Sequence, residues 1–78
     1  MHVEHRFSET DVWQALGTFN AIAMSKNISM KLQFNKNLQH EYDLKAESSK
    51  NGHVTLMTGT LEQVMLGVRL LTNFMKLL

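Results

Sequence analysis

Four histidines, His2, His5, His40 and His53, are the side chains best suited to hold a metal or move a proton near neutral pH. A zinc site needs three or four ligands converging on one point. His2 and His5 are three residues apart, which puts them on opposite faces of an extended segment. His40 falls in a polar turn, and His53 starts a strand beside Glu47 across a hairpin. They read as scattered surface residues, and no metal is expected. Nucleophile chemistry has as little to build on. Ser8, Ser25, Ser29, Ser48 and Ser49 occupy caps, turns or polar strand positions, and there is no Gly-x-Ser-x-Gly elbow. Glu41 and Asp43 could face solvent together, but a catalytic carboxylate pair needs a pocket that shifts one pKa. A chain of 78 residues with helices on one side of a sheet offers little concavity. The expectation is a protein that is not an enzyme and needs no cofactor.

The glycines form no phosphate cradle. Gly59 precedes a helix start, but Thr58-Gly59-Thr60 alone is a capping signal. Gly17 and Gly67 sit inside helices, where glycine costs about 1 kcal/mol relative to alanine. That cost is accepted where another backbone comes close. The expected reason is a tight crossing of the two helices, or of two copies of the final one.

Composition narrows the classes further. The chain is 44% apolar and 19% charged, as globular domains are, and its length makes residues 1–78 a single small domain. Eight basic and seven acidic residues give a net charge of +1, with no block of one sign to grip nucleic acid. There is no cysteine and no proline. The residues around His2, Glu4, His5 and Arg6 lack the apolar core of a signal peptide, and a cytoplasmic location is expected. The final apolar segment approaches the length of a membrane span. Arg69, Asn73 and Lys76 lie within it, and such residues are costly there, so no membrane association is expected.

The elements that must position any site follow from periodicity. Met1 to Phe7 alternates weakly and could form a short edge strand. Ser8 or Thr10 can cap a helix whose first turn carries Glu9 and Asp11, and Val12, Leu16, Phe19 and Ala23 recur on one face. Lys26 and Asn27 close it. From Ile28 the period becomes 2: Ile28, Met30, Leu32 and Phe34, then Tyr42, Leu44 and Ala46, then Val54, Leu56 and Thr58. Asn51-Gly52 suits a tight hairpin, and Thr60 with Gln63 has capping-box spacing before the last helix. The expected class is a two-layer α+β fold of order (β)-α-β-β-β-α. Three strands form an antiparallel meander, and both helices pack on its apolar face. Lys31, Gln33, Glu41, Asp43, Lys45, Glu47 and Thr55 belong on the opposite, open face.

The last helix is apolar nearly all round. At about 100° per residue, Val64, Val68, Leu71, Met75 and Leu78 form one stripe and Leu66, Leu70, Phe74 and Leu77 a second. The strip left to Glu62, Arg69, Asn73 and Lys76 is only about 60° wide. Two coverings are open for the second stripe: the first helix, through Leu70 and Phe74, or a second copy of the chain.

The α-β-β-β-α order is similar to that of double-stranded-RNA-binding domains. Those domains start their last helix with a basic cluster, whereas this one starts Leu61, Glu62, Gln63. A nucleic-acid-binding domain of that topology is the alternative reading. The leading expectation is a protein-interaction module acting as a homodimer, its partner being another protein, itself included. Leu66, Leu70, Phe74 and Leu77 form its interface, with Trp13 as a secondary contact. Small cofactor-free domains of this kind serve as inhibitors or adaptors, some of them carried by phages or other mobile elements. That last expectation rests on fold-level analogy alone.

Overall fold

A computed structural model describes residues 7–78. Helix α1 (Glu9–Ser25) is followed by strands β1 (Met30–Lys36), β2 (Tyr42–Ser48) and β3 (Gly52–Gly59) and by helix α2 (Leu61–Leu77). The strands pair antiparallel in the order β1-β2-β3. The α+β class and the meander are those expected from the sequence. Of the short edge strand expected over Met1 to Phe7, residues 1–6 lie outside the described residues, and Phe7 is not in a strand.

Local chemistry sets the element ends. Ser8 Oγ accepts from the Asp11 amide while Asp11 accepts from the Ser8 amide, a reciprocal cap for α1. Thr60 and Gln63 do the same for α2. Asn27, at φ +58°, turns the chain out of α1 in the left-handed region that asparagine tolerates. Ile28 completes that exit by donating its amide to the Ala23 carbonyl, so the first strand begins at Met30 and not at Ile28. Gly52, at φ +68°, makes the left-handed step of the β2–β3 hairpin.

The two helices run parallel. Tyr42 contacts the start of α1 through its hydroxyl to Glu9, and it pairs with Gly59, next to the cap of α2. At the opposite end, Lys26 Nζ donates to the Lys76 carbonyl in the last turn of α2. One apolar layer fills the space between helices and sheet. It holds Val12, Leu16, Phe19 and Ala23 from α1, Leu32 and Phe34 from β1, Leu44 from β2, and Val64, Met65, Val68 and Met75 from α2. Burying a side chain such as Leu16 or Leu44 contributes roughly 1.5–3 kcal/mol. Among the described residues no polar residue is buried with them.

The third strand departs from strict alternation. Ala46 faces Val54 and Lys45 faces Thr55, but Leu44 faces Met57, so Leu56 is an extra residue at a β-bulge. The bulge reverses the phase beyond it. Met57, expected on the polar face, lies with Leu44 beneath Gly67 of α2. Thr58, expected with Val54, instead donates its hydroxyl to Asp43 at 2.7 Å on the open face.

Candidate interaction surface

Helix α2 buries Val64, Val68 and Met75 in the shared core and turns Met65 toward α1. Arg69 follows Met65 along that side, its guanidinium 4.8 Å from the centre of the Phe7 ring. The α1-facing side is therefore Met65 and Arg69. It is not Leu70 and Phe74, and the first of the two coverings expected for the second stripe does not occur. Leu66, Leu70, Phe74 and Leu77 remain 56%, 71%, 60% and 84% exposed. A contiguous apolar stripe of that kind marks an interaction site more often than bare monomer surface.

The two helix glycines have different surroundings, and neither marks a helix crossing. Among the described residues, no atom apart from its chain neighbours and its own helix backbone lies within 4 Å of the point where a Gly17 side chain would begin. A β-carbon on Gly67 would lie 2.7 Å from the Met57 sulfur and 3.6 Å from Leu44 Cδ2. The close approach is between helix and sheet, on the side of α2 adjoining its exposed stripe.

The two sheet edges are treated differently. On β1, Asn20 of α1 accepts from the Leu32 amide at 2.8 Å and donates to the Leu32 carbonyl at 3.3 Å. The side-chain amide thereby replaces a neighbouring strand, one way of blunting an edge. Trp13, also on α1, lies 4.6 Å ring to ring from Phe34 and is 53% exposed, so it flanks that same edge of the core. It stands on α1, whereas the stripe lies on the side of α2 turned away from α1, so the structure does not bring it together with the other four predicted residues. Along β3, Gly52–Gly59 carries no Asp, Glu, Lys or Arg, and Val54 and Leu56 are half exposed. These two residues join the surface without having been singled out from the sequence. The legible signal was that uncharged run, in contrast to Lys31 and Lys36 on β1 and Asp43, Lys45 and Glu47 on β2.

The open sheet face holds a polar network. Asp43 accepts from Thr58 and, at 3.1 Å, from Asn37, and these donors hold its carboxyl below the usual aspartate range. Tyr42 titrates above the ordinary tyrosine value through desolvation and through the Glu9 carboxylate beside it. Both shifts have structural partners, and the two groups leave the sheet on opposite faces. His53 faces Glu47 across the hairpin, and His40 occupies a turn at φ +63°. Among the described residues no three His, Asp or Glu side chains stand together in a way that could hold a metal ion. Shallow clefts flank the core, one of about 380 Å³ between Met24, Ile28 and Met30 and one of about 540 Å³ between Phe7, His40, Tyr42 and Leu61. Among the described residues no helix is long and apolar enough to cross a membrane. Comparison of the chain with protein-family models, curated proteins and solved structures gives no match in any of the three.

Proposed function

We propose that this chain is a non-catalytic protein-interaction module that works as a homodimer through the outer side of α2. One observation carries the reading: Leu66, Leu70, Phe74 and Leu77 form an uncharged stripe that the chain's own helix and sheet leave uncovered. Burying such a stripe against its own copy is the isologous solution open to a small domain. A non-catalytic role accords with the two groups perturbed among the described residues, Tyr42 and Asp43, whose shifts both arise from hydrogen bonds or burial in the fold. The near-balanced charge favours a protein target over nucleic acid. Dimers of this class act as inhibitors or adaptors when a second surface remains free, and here the open sheet face and the Trp13 side of α1 do so.

Light scattering across a dilution series tests the reading. A dimer mass at micromolar protein is expected, with dissociation little affected by salt, because apolar contacts release no condensed counterions. Phe74→Glu should give a folded monomer, since the ring already contacts water in the single chain. A wild-type monomer at high micromolar concentration refutes the homodimer. Tight binding to RNA or DNA that falls steeply with salt refutes the choice of a protein target.

A further inference from the structure

We propose that two copies of this chain pair antiparallel along their β3 edges, Val54 against Val54 of the second copy, to form one six-stranded sheet. This deepens the homodimer reading above and rests on it. The register follows from which backbone groups are already used. Leu32 gives both its amide and its carbonyl to Asn20, so its groups point away from β2. Its opposite number Ala46 therefore points toward β3, and Val54, which faces Ala46, points back toward β2. By alternation, the amides and carbonyls of His53 and Thr55 point outward from the β3 edge, which pairs with no further strand among the described residues. A two-fold axis at Val54 sets His53 opposite Thr55 of the second copy, so that both donors and both acceptors find partners. The bulge at Leu56 ends this run after Thr55, leaving Gly52–Thr55 as the segment that pairs.

Three further observations converge on the same axis. First, β3 carries no formal charge to repel its copy. The outer-face row through the junction instead runs from Glu47 and His53 of one chain to the equivalents of Thr55 and Lys45 in the other. Second, Val54 lies on the helix side of the sheet, with Leu44 and Ala46, yet is 48% exposed. Met57 faces Leu44 and sits beneath Gly67, whereas Val54 faces Ala46, two residues along β2, so Val54 lies roughly 7 Å from Met57 along the sheet. At 1.5 Å per residue that is about four to five residues of α2, the level of Leu71 and Thr72, between Leu70 and Phe74 of the stripe. The axis that joins the two Val54 residues therefore brings the Leu70–Phe74 turn of each stripe toward its copy. Third, the area fits. Taking about 150 Å² for a large side chain, the exposed parts of Val54 and of the four residues of the α2 stripe present on the order of 450–500 Å². A standard interface buries about 800 Å² per partner, and the strand backbone supplies part of the remainder.

Disulfide trapping tests the register directly, because the chain has no cysteine of its own. Opposed residues of a non-hydrogen-bonded antiparallel pair stand about 4.5 Å apart at Cα, within disulfide range. Under oxidised glutathione at low micromolar protein, Val54→Cys should form a covalent dimer at least ten times faster than Leu38→Cys, which sits fully exposed in the β1–β2 turn. In wild-type protein, the His53 and Thr55 amides should exchange slowly with deuterium in the dimer and rapidly on dilution. A light-scattering dimer in which Val54→Cys links no faster than Leu38→Cys, with His53 and Thr55 exchanging freely, overturns the β3 pairing and leaves the α2 dimer standing. A monomer at every concentration overturns both.

Discussion

Alanine substitutions at Gly17 and Gly67 make the same chemical change on two helices of one small domain and should have different consequences. In each case the backbone loses freedom in the unfolded chain, and the helix gains about 1 kcal/mol from exchanging glycine for alanine. At Gly17 the new methyl group meets, among the described residues, nothing within 4 Å beyond its chain neighbours and its own helix backbone, so Gly17→Ala should stabilise the fold by about 1 kcal/mol. At Gly67 it lands 2.7 Å from the Met57 sulfur and 3.6 Å from Leu44 Cδ2, so Met57 must leave its rotamer or α2 must rise from the sheet. Overpacking of that kind costs about 1–3 kcal/mol, which turns the same gain into a net change between neutral and a loss of about 2 kcal/mol. The gap between the two variants, about 1–3 kcal/mol, is the overpacking cost alone, because the propensity gain is common to both. Urea unfolding followed by far-ultraviolet circular dichroism measures it, provided the slope against urea stays constant. In a Met57→Ala background the obstruction is gone, and Gly67→Ala should again be worth about 1 kcal/mol. Equal stabilisation at both sites in the otherwise wild-type chain refutes the argument that Gly67 marks the helix–sheet approach.

Two other outcomes follow from the polar contacts. Asp43 has its pKa lowered in the folded chain by its Thr58 and Asn37 donors. Its contribution to stability is therefore present above the unfolded-state value near 4 and is lost as pH falls through the lower folded-state value. Thr58→Val removes the 2.7 Å donor and should move the Asp43 titration upward in carboxyl-carbon NMR; an unmoved titration rules out Thr58 as its main cause. Asn20→Ala should cost about 1–3 kcal/mol, since it deletes two hydrogen bonds to one partly buried backbone position. It should also abolish the slow exchange of the Leu32 amide, and retained protection there would show that Asn20 is not what closes the β1 edge.

Local periodicity was enough to identify what each segment becomes. Leu32 and Phe34 alternate with Lys31 and Gln33, and Val12, Leu16, Phe19 and Ala23 recur at helical spacing. Both helix starts carry reciprocal caps that act within four residues of chain. These signals are short-range: a pleat or a helical turn sorts neighbouring side chains onto faces whatever the rest of the molecule does. The same logic exposed the two apolar stripes of α2, but a helix apolar on two sides does not itself say which side goes inward. That choice was tertiary. The helices lie parallel with Met65 and Arg69 against α1, which leaves Leu70 and Phe74 uncovered. The phase reversal in β3 is tertiary too, because a bulge depends on how Leu44 and Lys45 match their partners across the sheet. So is the role of Asn20, an ordinary polar helix residue in sequence that closes a strand edge twelve residues away. The sequence alone determined that more apolar surface exists than one small sheet can cover. Only the packing of helices on that sheet, a balance among contacts distant in the chain, decided that the surplus gathers beside β3.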